Sequence, residues 1–373
     1  MTKAQPKVDN KKIYVYYSPA TDVTGKNIAA ALNADCGSTL PTTNYDVVIG
    51  WGAKTSKAVN VSATKVLNHP NAIRANRNKF GALDLMKKAG VSVAPFVSAT
   101  KAGAIGTDSA DGVKLPAVAR TGFHQGGKGF WDCPTMTHVK NAVKEGADYI
   151  QNLIEIEDEY RLHVVGDKVI YGVKKVKRSA EETAEAFIRQ GLEKQKALAE
   201  KAGRAFDEET AKGILTSQAK MFAQNGANML VRSNRLGWKF AKISDKKPPA
   251  KYKELEQEAI KAVKAVGLDF GAVDCCTDSS GKVFVLEVNS GPGLEETTFD
   301  VWMENFKAII YAEDAKPAEA TKETQTTVSG AKKTVSFSKT KLIEKVDLIK
   351  DMLTVASEEE AEVVNNVFKK MFG

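Results

Sequence analysis

Apolar residues fall along this chain in short runs, and the spacing within each run predicts an element. Residues 12–17 (KIYVYY) form a continuous apolar run of strand length, followed by the turn-prone Ser18-Pro19 and a helical pattern over 25–32. A second run, 46–50 (DVVIG), ends at Trp51-Gly52. Strand, helix, strand is the rhythm of a small α/β unit with a parallel sheet. Over 78–90 (NKFGALDLMKKAG), Asn78 stands where a helix cap would, the apolar residues gather on one side and Gly90 can end the helix. Residues 91–96 (VSVAPF) and 114–120 (KLPAVAR) read as extended. The glycine-dense 121–129 (TGFHQGGKG) runs on into FWDC, so a hairpin is expected. Three more extended stretches follow at 149–154, 160–165 and 169–176, the last two joined by the tight-turn pair Gly166-Asp167.

The pattern changes at Arg178. Up to about Asn228, Glu, Lys, Ala and Gln recur at helical spacing, which reads as a helical insertion. Sheet character resumes at 229–232, followed by a helix over 252–266. A strand pair, 269–277 and 282–289, is turned by Asp278-Ser279-Ser280-Gly281. Residues 313–337 lack apolar periodicity and read as a linker. Periodicity returns over 338–373, where Leu342, Val346, Ile349 and Leu353 share a helical face and Ser357 with Glu360 makes a capping box. A C-terminal helical hairpin is expected, suited to self-association or to a protein partner.

Composition adds exclusions. With 373 residues, 43% of them hydrophobic, the chain has room for a sizeable core and two or three domains. No stretch nears the roughly 20 apolar residues of a membrane helix, and the polar start MTKAQPKVDNKK lacks the apolar centre of a secretory signal. A soluble cytoplasmic protein with no membrane partner is expected. Cys36, Cys133, Cys275 and Cys276 form no C-x-x-C pair, which suits unpaired thiols in a reducing compartment. The net charge of +8 is spread along the chain, which fits anionic ligands such as nucleotides and equally many ordinary enzymes. No aromatic-and-basic stripe or nucleic-acid motif accompanies it, so nucleic acid is disfavoured as a partner.

The strongest chemical signal is the late strand pair, LDFGAVDCC followed by KVFVLEVNSGPGLE. Asp274 lies on the first strand, and Glu287 and Asn289, two apart on the second, project from one face. Such a hairpin gathers three oxygen ligands, a set suited to Mg²⁺; an ordinary half-polar strand pair is the competing reading. Gly291-Pro292-Gly293 then makes a low-bulk turn that lets backbone approach a ligand.

With these residues in view, the sequence resembles the ATP-grasp superfamily of carboxylate–amine ligases, which includes ribosomal-protein glutamate ligases and glutathione-synthetase-like enzymes. The matching segments are NRNKFGALDLMKKAGVSVAP, LPAVARTGFHQGGKGF, EYRLHVVGDKVI, VRSN and GLDFGAVDC with VFVLEVNSGPGLE. They span 74–299 in the family's order, interrupted by the insertion. The resemblance implies an α/β (α+β) ATP-grasp fold. Its expected parts are an N-terminal small parallel-sheet α/β domain (1–75) and an ATP-grasp domain (76–312) with a lid over about 114–155 and the helical insertion at about 178–228, then the linker and helical tail.

The implied cofactors are ATP and Mg²⁺ or Mn²⁺, and the implied partners are a carboxylate and an amine substrate: an amino acid, a peptide or a protein terminus. Lys79 matches the first phosphate-binding lysine, and Arg120 stands where the family usually has a second lysine. The 122–129 loop nearly spells a P-loop, but Gly129 replaces the hydroxyl residue and the FWDC after it is extended. It is read as a lid in which Gly126, Gly127, Lys128 and Gly129 cover the triphosphate. Gln151, Asn152 and Leu153 match the adenine hinge, with Asn152 replacing an acidic residue. Glu159 and Arg161 match positions near the ribose and phosphates, while Arg232 and Asn234 match the R-S-N element that, with Lys79, serves catalysis. Asp274, Glu287 and Asn289 are the implied metal ligands. The activity implied is amide-bond formation through an acyl phosphate. The alternative is an ATP-grasp-fold binding or structural module with little or no catalysis.

Overall fold

In the computed structural model, which describes residues 11–107, 111–123, 129–224, 230, 232, 237–244 and 246–311, the first apolar run is strand β1 (Ile13–Tyr17), buried along its whole length. Burial on both faces is what a parallel strand flanked by helices requires. Helix α1 (Val23–Ala31) follows, its N-terminus capped by Asp22, whose carboxylate accepts the Gly25 N–H at 2.6 Å. Strands β2 (Asp35–Gly37), β3 (Tyr45–Trp51) and β4 (Ala63–Leu67) complete a parallel sheet in the order β2-β1-β3-β4. Two helices succeed it, α2 (Pro70–Arg77) and α3 (Lys79–Lys88). Asn78 caps α3 as expected, accepting the Gly81 N–H at 3.2 Å.

A second, antiparallel sheet has the order β5-β8-β6-β7 and is built from β5 (Phe96–Ser98), β6 (Ala117–Arg120), β7 (Phe130–Cys133) and β8 (Tyr149–Asn152). Helix α4 (Met136–Lys144) covers one face, packing Val139 and Ala142 against Val97, Ala119 and Ile150. The β6–β7 hairpin was expected; the strand after its loop is incompatible with a P-loop, which leads into a helix.

The third sheet is antiparallel throughout. It contains β9 (Ile156–Val165), β10 (Lys168–Lys177), β11 (Trp238–Lys242), β12 (Phe270–Asp278) and β13 (Val283–Asn289) in the order β11-β10-β9-β12-β13. Helices α5 (Ala180–Lys201) and α6 (Glu208–Gln224) form the predicted insertion between β10 and β11. Helix α7 (Tyr252–Ala265) precedes β12, and α8 (Glu296–Tyr311) follows β13. Of the strand expected at 229–232, the described residues Leu230 and Arg232 lie outside any strand. The edge is instead Trp238–Lys242, whose backbone meets Val173–Lys177 in antiparallel register. An apolar run alone does not make a strand without a neighbour in register.

Alternation divides the third sheet. Tyr160, Leu162, Val164, Val273 and Cys275 face α7, packing on Leu255, Ala259 and Val263. The opposite face is apolar at the end that carries Phe270. There Phe270 joins Trp51, Trp302 and Phe306, with ring centroids 4.8 Å apart for Phe270–Phe306 and 5.3 Å for Trp51–Trp302. Burying each such ring contributes about 2–3 kcal/mol, which ties the parallel sheet and α8 to the third sheet. Further along this face lie Glu159, Arg161 and Asp274, where the cleft opens, and beyond them Cys276 packs with Ala94 and Phe284. Among the described residues no helix is long and apolar enough to cross a membrane. The expected linker and helical tail, 313–337 and 338–373, lie outside the described residues.

Candidate functional site

A cleft of about 1150 Å³ opens among the second sheet, the third sheet and the carboxyl edge of the parallel sheet. Apolar side chains from both antiparallel sheets line one end: Val118, Ile154, Ile156 and Leu286. The remainder is charged. Basic side chains among its described lining residues outnumber acidic ones eight to four.

Strand register explains the grouping. Asp274 sits directly opposite Glu287 on β13 and opposite Arg161 on β9, so all three share one face. Arg161 donates to both oxygens of Asp274, Nε to Oδ1 at 2.6 Å and Nη2 to Oδ2 at 2.9 Å. Lys79, at the start of α3, lies 3.3 Å from Glu287 Oε2. Lys175 on β10 pairs with the buried Glu159. Arg120 lies over the Phe130 ring at 5.6 Å, and Arg161 over Phe240 at 4.9 Å. Arg232 is buried, stacks on Trp238 at 4.6 Å and donates to the carbonyls of Ile156 and Glu157.

These pairings set the protonation states. Burial opposes ionisation of Asp274, but the Arg161 charge and its hydrogen bonds outweigh burial and hold the carboxyl below its usual range. Burial and repulsion from Asp274 likewise work against Glu287, and Lys79, Arg120 and Arg161 together hold it low. Glu159 goes the other way, raised by burial despite Lys175. At neutral pH the cleft floor therefore presents two adjacent carboxylates on Asp274 and Glu287.

Asp274, Glu287 and Asn289, predicted as metal ligands, do line the cleft together. Among the described residues no three His, Cys, Asp or Glu side chains cluster as a metal site, so the set remains two carboxylates and an amide. Its donors fit a hard divalent cation. Asn289 Nδ2 is buried and has no partner among the described residues; as an N–H donor it calls for an acceptor oxygen in the cleft, while the amide Oδ1 is the atom that suits a cation. Asp274 is not an open ligand, because Arg161 occupies both of its oxygens.

Gln151, Asn152 and Leu153 line the cleft where the hinge was expected. The Asn152 and Leu153 N–H groups donate to Pro95 and Pro116 carbonyls at 2.9 and 3.3 Å, so these two amides are already engaged. The Asn152 side chain closes a loop, accepting the Lys114 N–H at 2.8 Å. Gly129 has φ of +58°, and a Cβ there would meet Thr121 Oγ1 at 2.2 Å, so only glycine suits that lid position. Gly126, Gly127, Lys128 and Asn234 lie outside the described residues. Lys239 lines the cleft and pairs with Glu182 at the start of α5.

Sequence reading missed five contributors: Lys175, the rings of Trp238 and Phe240, and the basic residues Lys54 and Arg77. The run Val173-Lys174-Lys175-Val176-Lys177 on β10 does not alternate and singles out no lysine, and the partner of Lys175, Glu159, is fixed only by strand pairing. At the other end Ser18, Pro19, Asp22 and Gly52 come from loops that follow β1 and β3. Gly52 has φ of +57° and its N–H donates to Ser290 O at 3.2 Å. A Cβ on Gly291 would lie 2.7 Å from Gly52 Cα, so the turn after Asn289 and the end of β3 touch backbone to backbone.

No protein-family model matches the sequence, and no curated protein matches it. Solved structures do. D-Alanine–D-alanine ligase from Bacillus anthracis complexed with ATP superposes with a TM-score of 0.50 at 12% identity, covering 81% of this chain and 96% of that one. The ATP-grasp ligase PsnB, complexed with a phosphomimetic variant of its minimal precursor, Mg and ADP, gives 0.47 at 13% identity over 80% and 98%. N5-carboxyaminoimidazole synthetase from Staphylococcus aureus gives 0.45 at 12% over 76% and 71%. At such identities the likeness is one of fold, and the first of the three carries it. The chain has the ATP-grasp fold, α/β with one parallel and two antiparallel sheets, and it resembles the ATP-grasp carboxylate–amine ligases.

Proposed function

We propose that this protein is an ATP-dependent carboxylate–amine ligase that forms an amide bond through an acyl phosphate and releases ADP and phosphate. The observation that carries this reading is the cleft between two antiparallel sheets, where Lys79, Arg120, Lys175 and Arg232 surround the Asp274–Glu287–Asn289 face. The apolar end suits a purine between Val118 and Leu286, with the Asn152 and Leu153 carbonyls accepting from its exocyclic amine. Lys79, Arg120 and the loop ending at Gly129 neutralise and align the phosphates. Asp274, Glu287 and Asn289 would hold Mg²⁺ or Mn²⁺, which supplies charge neutralisation at phosphate oxygens.

A carboxylate oxygen of the substrate then attacks the γ-phosphorus while the bond to the bridging β–γ oxygen breaks. An amine nitrogen attacks the acyl carbon, phosphate departs and the nitrogen loses a proton. Arg232 offsets charge on the acyl phosphate, and lid closure keeps out water, which would hydrolyse it.

The test is ADP and phosphate release from Mg·ATP with and without pooled amino acids and peptides, comparing wild type with Glu287→Ala. Substrate-stimulated release is expected from wild type alone, with unchanged circular dichroism in the variant. Full activity in Glu287→Ala would overturn the site. One observation favours a second reading as a binding module: Arg161 already holds both oxygens of Asp274. Nucleotide binding without turnover on any substrate pool would select it.

A further inference from the structure

The parallel sheet has the order β2-β1-β3-β4, so the chain leaves β1 toward one side and β3 lies on the other. In open parallel sheets, the crevice outside the carboxyl ends of two such strands is where ligands bind. Here that crevice is the part of the cleft edged by Ser18 and Pro19 after β1 and by Gly52 and Lys54 after β3. It is also joined to the reacting centre. The Gly52 N–H donates to Ser290 O, one residue beyond the candidate ligand Asn289, and Gly52 touches Gly291.

Charge distinguishes this end. Lys79, Arg161, Lys175 and Lys239 each face a carboxylate, Arg232 donates to the Ile156 and Glu157 carbonyls, and Arg120 lies over the Phe130 ring. Lys54 and Arg77 line the cleft with no ion pair among the described residues. Among the described residues that line this side, Asp22 is acidic, and its Oδ1 is engaged in capping α1. A substrate that offered only the reacting carboxylate would leave this pair of cations without a counter-ion.

Resting on the ligase reading above, we infer that the carboxylate substrate carries a second anionic group, a carboxylate or a phosphate, which Lys54 and Arg77 bind in the crevice between β1 and β3. The two cations fix the far end of the substrate, so that its reacting carboxylate points toward Asn289 and Glu287. Selectivity then comes from charge number rather than from an apolar pocket.

Affinities of butyrate, glutarate and 4-phosphonobutyrate, measured by ligand-observed NMR on the full chain with Mg·AMP-PNP, test this. Wild type is expected to bind both dianions about tenfold more tightly than butyrate, a preference that Lys54→Ala and Arg77→Ala each reduce to about threefold or less and that Arg77→Lys retains. Equal affinity for the three acids, no binding of any, or an undiminished preference in both alanine variants would overturn the inference. AMP-PNP affinity on the same samples separates the two readings. Dianion preference without nucleotide binding sinks the ligase and keeps the anion subsite; nucleotide binding without the preference does the reverse.

Discussion

Arg161 is the residue on which the charged face depends. Asp274 is buried, and the bidentate contact from Arg161 keeps it ionised against the cost of desolvation. Removing one partner from such a pair leaves an uncompensated buried charge and costs about 3–5 kcal/mol. Arg161→Ala is therefore expected to lower unfolding free energy by about 3 kcal/mol in urea titrations. A loss below about 1 kcal/mol would mean that water reaches Asp274 and that the pair is a surface one. Lys79→Ala should cost less, because Glu287 keeps 28% of its side chain exposed and its contact with Lys79 is longer at 3.3 Å. The same comparison bears on function. If a divalent cation joins Asp274, it shares with Arg161 the two oxygens that the guanidinium already contacts, so the stabilising pair and the ligand set draw on the same carboxylate.

Elements meet most closely where the turn after β13 crosses the end of β3. Gly291→Ala would place a Cβ 2.7 Å from the Gly52 Cα and N and 3.2 Å from the Trp51 carbonyl carbon, all backbone atoms that cannot rotate away. Overpacking of this kind costs about 1–3 kcal/mol, and relief requires moving the turn that follows Glu287 and Asn289. Gly293→Ala, two residues on, has nothing within 4 Å of the added atom. Thermal unfolding and substrate-stimulated ADP release are expected to fall together in Gly291→Ala and to stay near wild type in Gly293→Ala. Equal behaviour of the two would show that the β3 contact does not position the site. Strand pairing has a comparable influence: Lys175 reaches Glu159 because β10 lies beside β9, and no spacing in the chain announces that pair.

At the scale of the whole molecule, His163 links the charged cleft to the aromatic core. Its Nδ1 accepts from Trp302 Nε1 at 2.9 Å, which fits the neutral ring, and burial, with Arg161 adding repulsion, lowers its pKa to about 4 from 6.5. Between those values the unfolded chain binds the extra proton and the folded one does not. The contribution is thus fully present above pH 6.5 and is lost as pH falls toward 4, up to about 3 kcal/mol. Glu159 and Asp269, raised by burial, act in the opposite sense, so the observable is a difference between proteins. His163→Gln is expected to flatten the acid limb of stability against pH relative to wild type. An identical pH dependence would show that His163 takes up its proton without unfolding.

Local spacing carried much of the architecture. The apolar run of β1, the cap at Asn78, the turn at Gly166-Asp167 and the β12–β13 hairpin each depend on a few neighbouring residues, so they could be read in order along the chain. The Asp274, Glu287 and Asn289 set was legible for the same reason: one hairpin, with period-two alternation, brings it together. Edge strand β11, helix α8, the Arg161–Asp274 clamp and the Lys54–Arg77 end of the cleft were not legible. Each pairs groups far apart in sequence, through strand register or sheet-to-sheet packing. The chain by itself determined which residues could be strands, caps and oxygen ligands, because those choices rest on side-chain chemistry and local periodicity. Only the tertiary structure decided which of the described cations face carboxylates, because a charge acquires its partner only when separate sheets are brought together.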